Sequence, residues 1–328
     1  MKPMHRKTIK AHLKKKLDAV ADSIDDNKEI RTLFRKEACV LGGSIASMLM
    51  GDEINDYDIY FKTQEGAFKI LSYFLERRNA SITKNVNLPA HYTSSVNLRA
   101  YYTSIVNCKG VDESRIVISN HKGIEGLEDR FLLARSGKAE REKNYGVRAI
   151  TNNAISLSDK VQLIFRFTGD YERIIENFDY IHAQCMYDLK ADALHLPINA
   201  LESMMSKRLV YTGSLYPVAS IIRMRKFIRR GWHISVGQIL KMVIQVNRLN
   251  LADRITLIEQ IMGVDLLYIQ NFMVELDKAM SESTETIHDW SGLVENLLNK
   301  TFGDFDDDDI EEGLEALSKG PDDHIETY

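Results

Sequence analysis

The chain has 328 residues, of which 44% are hydrophobic and 27% charged, and its formal net charge is −4. That content excludes a disordered polyelectrolyte and a bulk polycation, so any nucleic-acid contact must come from a local basic patch. Enough apolar residues are present for one large core or two smaller ones, and two domains are expected. Cys39, Cys108 and Cys185 are odd in number and far apart, with no C-x-x-C, which excludes a disulfide framework and a zinc knuckle. The basic N-terminus "MKPMHRKTIKAHLKKKLDAV" lacks the apolar segment of a signal peptide, and no apolar run approaches the roughly 20 residues that span a bilayer. The expected setting is a reducing cytoplasm, with no membrane partner.

Residues 1–35 read as a basic helical arm, with Leu13, Leu17, Val20 and Ile24 as a thin apolar stripe. The pattern changes at Ala38. "ACVLGG" is a short strand ending in glycines, and "SIASMLMG" fits a short helix with Ser44 as N-cap and Gly51 as C-cap. "DEIND" is a turn, "YDIYF" a strand, and "GAFKILSYFLERR" a helix with Phe68, Leu71, Phe74 and Leu75 on one face. "NLRAYYTSIV", "SRIVIS", "AISL" and "VQLIFRF" read as strands, separated by a polar excursion from Gly123. "DYERIIENF" is a short helix and "DYIHAQCMYD" a further strand. Strands and helices alternate over 36–196, which predicts one α/β domain. The strands then stop: residues 197–302 read as a helical domain, and 303–328 as an acidic, disordered tail.

The stretch Cys39–Phe61, "CVLGGSIASMLMGDEINDYDIYF", carries the chemistry. In a strand, residues two apart share a face, so Asp56 and Asp58 project together, about 7 Å apart, while Tyr57, Ile59 and Phe61 enter the core. Paired carboxylates repel, and a divalent cation removes that cost. Mg²⁺ takes oxygen ligands and keeps water and substrate phosphates in its shell, which suits a nucleotide site. Gly42 and Gly43 let backbone approach a phosphate, and Ser44 opens a helix whose N–H groups face that anion.

G-G-S, a gap of eleven residues, then D-Y-D and I-Y-F together resemble the signature of the polymerase-β-like nucleotidyltransferase superfamily. The resemblance covers about residues 38–75 closely and the rest of the domain by order of elements. The chain as a whole also resembles large-phage proteins. The superfamily implies an α+β fold: a mixed-sheet catalytic domain followed by an all-helical one that closes over the nucleotide. It also implies a third carboxylate on a later strand, because a metal pair shares ligands on both sides of the transferring phosphoryl group. Asp179 is the favoured candidate, with Asp188 and Asp112 as alternatives. Asp56, Asp58 and Asp179 would hold Mg²⁺ or Mn²⁺, and a nucleoside triphosphate (NTP) would be the substrate. His182 reads as a structural histidine.

In the helical region, Arg223, Arg225, Lys226, Arg229 and Arg230 fall within eight residues. They are either a solvated face that suits the helix dipole or a nucleic-acid contact. Trp232 beside them reads as core. Lys207 and Tyr211 are candidate nucleotide contacts by the same resemblance. The leading expectation is a Mg²⁺-dependent nucleotidyltransferase that moves an NMP from an NTP to an RNA end, a protein or a small molecule. The alternative is an inactive nucleotidyltransferase fold that binds nucleic acid or protein.

Overall fold

Four consecutive apolar residues, Ala38–Leu41, form a strand buried along its whole length. Such a strand belongs inside a sheet rather than at its edge, and in the computed structural model it has a partner on each side. The structure describes residues 2–83, 98–106, 112–119, 133–135, 140, 143–151, 153–261 and 290–302. Cys108, residues 262–289 of the expected helical domain and the acidic stretch 303–328 lie outside these, as does most of the polar excursion after Gly123.

The chain forms two units, Met1–Thr212 and Gly213–Tyr328. The first runs α1 (Arg6–Asp22), α2 (Lys28–Glu37), β1 (Ala38–Leu41), α3 (Gly43–Met50), β2 (Tyr57–Phe61) and α4 (Gln64–Thr83), then β3 (Arg99–Val106), β4 (Asp112–Ser119), β5 (Leu133–Arg135), β6 (Val147–Thr151), β7 (Ala154–Leu157) and β8 (Val161–Thr168). It closes with α5 (Tyr171–Ile175), β9 (Met186–Asp188), β10 (Ala193–His195) and α6 (Ile198–Met205). Eight strands form one mixed sheet in the order β10-β9-β1-β2-β8-β7-β6-β5. Only the β2–β8 pair is parallel. Strands β3 and β4 form a separate hairpin.

The sheet buries both faces. On one, Phe61 of β2 meets Phe34 of α2 edge-on at 6.0 Å and stacks on Phe165 of β8 at 5.4 Å. On the other, Cys39, Leu41 and Tyr60 pack with Ile174, Phe178 and Met186. The expected arm over 1–35 is instead an integral part of the first unit: Ile9, Leu13, Leu17, Val20 and Ala21 of α1 are buried, a broader stripe than the sequence suggested. The boundary between units also falls later than expected, after Thr212, because α6 packs on the 3₁₀ turn Ile181–Ala183 of the first unit.

The second unit contains α7 (Pro217–Arg229), α8 (Val236–Val246), α9 (Arg254–Ile261) and α10 (Trp290–Phe302). Helix α7 starts on Pro217 at its first turn, where the missing N–H costs nothing, and packs on α8 and α9. The molecule is thus an α+β protein with a mixed-sheet unit followed by a helical one. Phe61→Ala empties the point where both aromatic contacts meet, and is expected to cost about 3–5 kcal/mol, read as a lowered urea midpoint for the first unit.

Candidate functional site

The register of the central strands brings the glycine turn to the carboxylates. Strand β1 runs antiparallel to β2 with Leu41 opposite Asp58, so the chain leaves β1 beside that aspartate. The next residue, Gly42, has φ +94° and ψ −163°, a conformation open essentially to glycine alone. A Cβ at Gly42 would lie 2.8 Å from Oδ2 of Asp58. Gly42 therefore does two things: it makes the turn, and it leaves room for the carboxylate.

Helix α3 begins directly at Gly43, so its N-cap is Gly42 and not Ser44. Ser44 lies in the first turn, 4% exposed, and its hydroxyl has no hydrogen-bond partner among the described residues. An unmet buried hydroxyl costs about 1–3 kcal/mol, and here it sits where the first N–H groups of α3 are themselves without intrahelical partners. Gly43 is exposed, so the mouth of this turn is open to solvent.

Asp56 ends the irregular stretch 52–56, and Asp58 is the second residue of β2; both are half-buried, while Tyr57 and Ile59 between and beyond them are buried. The alternation expected from the sequence is therefore present. Beside Asp58, β8 places Gln162 in parallel register. On the far side of β1, β9 places Met186 opposite Leu41. The strand neighbours of Asp58 on its own face thus carry an amide and apolar groups rather than a third acid.

That arrangement corrects the expectation for the third carboxylate. Among the described residues, no group of three or more His, Cys, Asp or Glu side chains is placed to hold a metal ion, so Asp56, Asp58 and Asp179 do not form one ligand set. Asp179 does not head a strand; it occupies a bend before the 3₁₀ turn Ile181–Ala183, and β9 begins only at Met186. Its carbonyl accepts from Thr212 N–H at 2.8 Å, which pairs the segment with a stretch 33 residues further along the chain. Four residues after Asp179, the Ala183 carbonyl accepts the Gly42 N–H at 3.1 Å. Asp188 lies at the opposite end of β1, across from Cys39, in an ion pair with Lys62 at 2.7 Å. Asp112 begins β4 in the separate hairpin, opposite Val106.

Tyr211 is not positioned to contact a nucleotide. It is 1% exposed and pairs with Tyr180 in a β-bridge, the two rings 5.9 Å apart. Lys207 is exposed just past α6, in a left-handed conformation with φ +48°. The basic residues lie in the second unit: Arg223, Arg225, Lys226 and Arg229 along α7, and Arg230 as its C-cap, with Arg225 and Arg229 the more exposed. Trp232 is buried and packs edge-on against Phe227 at 5.5 Å, the core role expected of it. His182 is buried and stacked on Tyr180. Burial pushes its imidazole down to about 4, against an opposing pull from Asp179.

The comparisons with known proteins bear on this geometry. The model of the Gabija anti-defense 2 family matches residues 11–207. The chain belongs to that family. Gabija anti-defense 2 of Bacillus phage SPbetaL7 is 23% identical over 286 residues, covering 85% of this chain and 56% of that protein. The chain therefore spans little more than half the length of this family member. Among solved structures, the Thermotoga maritima CCA-adding enzyme complexed with tRNA is 14% identical over 92% of this chain and 71% of that one, with a TM-score of 0.36. A CCA-adding enzyme in complex with ATP is 12% identical over 96% of this chain and 66% of that one, also at 0.36. At such scores the overlap is loose, and no residue role is carried from these enzymes to this member of the family. No described helix is long and apolar enough to cross a membrane.

Two measurements test the local structure. Gly42→Ala strains the backbone and drives a methyl into Asp58, so it is expected to destabilise the first unit by about 1–3 kcal/mol, seen in the urea midpoint. His182 titrates near 6.5 when unfolded and near 4 when folded, so between those values the unfolded chain binds more protons. Stability should fall as pH drops from 6.5 towards 4, by on the order of 3 kcal/mol from this group, and His182→Gln should flatten that part of the stability–pH curve.

Proposed function

We propose that this Gabija anti-defense 2 family chain is a Mg²⁺- or Mn²⁺-dependent nucleotidyltransferase that moves an NMP from an NTP to an acceptor, and that this transfer serves action against the Gabija defence. The observation that carries the reading is the approach of Gly42 to the Asp58 carboxylate at the N-terminus of α3. It sets an anion-binding backbone turn beside paired acids, the two halves of a metal–triphosphate site.

The residues fit the ion. Mg²⁺ is commonly held by one or two carboxylates, with water and phosphate oxygens completing its shell. Asp56 and Asp58 supply those carboxylates, and the donor-lined turn supplies the place for the phosphates. When bound, the ion would neutralise charge developing on the transferring phosphoryl group and lower the pKa of the acceptor hydroxyl. The N–H groups of Gly43 and Ser44 would donate to phosphate oxygens, with the Ser44 hydroxyl as a further donor that has no acceptor among the described residues. One of the two aspartates would take the acceptor proton as the bond to the α-phosphorus forms and pyrophosphate leaves. The basic residues of α7 would bind the phosphates of a nucleic-acid acceptor, and the exposed ammonium of Lys207 would remain a candidate for the triphosphate.

One observation favours a second reading. With Gln162 and Met186 in place of a third acid, the site has the charge to bind a metal–nucleotide but not the ligand set of a two-metal centre. On that reading the chain binds nucleotide without transferring it and acts as a binding module.

The experiment incubates the purified chain with each α-³²P NTP, Mg²⁺ or Mn²⁺, and an extract of cells carrying the Gabija defence. Label appearing on RNA, on a protein or on a small product identifies the acceptor, and Asp56→Asn or Asp58→Asn is expected to reduce transfer at least about 100-fold. Nucleotide binding with no transfer to any fraction selects the second reading. Full transfer by either variant removes the site assignment.

A further inference from the structure

The inner side of the acidic strand is held in a way that the motif does not require. Strands β7 and β8 are joined through Asp159 and Lys160, both non-glycine residues in the left-handed region, with φ +64° and +57°. Two such residues in succession make a strained turn that persists only where its surroundings over-determine it. Here they do. Lys16 of α1 hydrogen-bonds both the backbone carbonyl and the carboxylate of Asp159. Tyr145 donates to the same carboxylate at 3.1 Å.

The turn is aimed at Asp56. The carbonyl of Lys160 accepts the Tyr57 N–H at 2.7 Å, on one side of that aspartate. Its ammonium reaches the carbonyl of Ile54 and the carboxylate of Glu53, each at 3.4 Å, on the other side. A single residue thus holds the chain before and after Asp56. Tyr57, between the two acids, is pinned three ways: its N–H by Lys160, its hydroxyl by His12 at 2.7 Å, and its ring face by the Lys16 ammonium at 4.6 Å.

We propose that Lys160 is a positioning residue for the Asp56/Asp58 pair, holding the chain on both sides of Asp56 from a strained turn that α1 locks through Lys16. The proposal rests on the metal–nucleotide reading of that pair. Asp56 immediately precedes β2, and the Lys160 contacts fall on either side of it in the chain. Residues that orient metal ligands typically alter metal affinity by 10–100-fold when removed.

The test titrates Mn²⁺ into the full chain with a fluorescent α,β-methylene nucleoside triphosphate, each of the four bases in turn, and reads the Mn²⁺ concentration that half-saturates binding. Lys160→Met keeps the same backbone preference and removes only the ammonium. It should raise that concentration by about 10-fold, with the metal-free melting temperature within about 3 °C of wild type. Lys160→Arg, which restores a cation of similar reach, should return it to within about 3-fold. Lys16→Met, which leaves the turn residues intact, should shift it in the same direction, and serves if Lys160→Met does not fold. Wild-type Mn²⁺ dependence in both Lys160→Met and Lys16→Met overturns the proposal while leaving the site standing, as does a lowered melting temperature with no change in Mn²⁺ requirement. Failure of the wild type to bind any of the four nucleotides, or undiminished binding by Asp58→Asn, overturns the site reading and this proposal with it.

Discussion

The close passage of backbone past a carboxylate at Gly42 is the constraint on which the site depends. Asp58 is fixed by its register with Leu41, so the room for its Oδ2 must come from the neighbouring turn. Only a residue without a Cβ can make that turn at that distance, and the same turn delivers the first N–H groups of α3 to the acids. Helix N–H donors and carboxylate oxygens are thereby joined by two strands and one glycine. On the proposed reading, a metal-bound triphosphate would relieve both the mutual repulsion of the acids and the unmet donors of the helix.

The sheet supports this point from both faces. Phe61, three residues beyond Asp58, is held between two aromatic rings, and Tyr60 closes the opposite face against Phe178. Strand β2 is therefore fixed along its apolar part, while its acidic beginning lies outside that packing. The hairpin turn at Asp159–Lys160 and helix α1 fill that gap, which explains why so basic a helix belongs to the unit: Lys16 spends its charge on Asp159, and Lys10 on Asp192 at 3.0 Å.

Local pattern made much of this legible in the sequence. The apolar run before Gly42, the left-handed cap at Gly51, and the alternation of acids with Tyr57 and Ile59 all act within a few residues, and each is found where it was expected. What was missed depends on pairing between distant segments. Asp179 carries the flanks of a strand start, yet that segment bends to pair with Tyr211 and Thr212, and nothing local announces this. Gln162 and Met186 become neighbours of the site only through register. Lys160 was hidden more deeply still, because a lysine after an aspartate is an unremarkable surface pair until its backbone is seen to be left-handed. The N-cap lies two residues before the expected Ser44 for a plainer reason: serine is a good cap, but here Gly42 takes the position and the serine hydroxyl is buried.

The separation along the chain between Lys16 and Asp159, 143 residues, has a consequence during synthesis. At ribosomal rates of about 5–20 residues per second, the helix waits roughly 7–30 s before the turn that completes its contact is made. Once Asp58 has been made, the glycine bend and both acids exist for the rest of that interval, but the clamp behind them does not. A nascent or prematurely ended product would carry the motif with its geometry unset, so competence arrives as a late event of translation rather than with the motif itself.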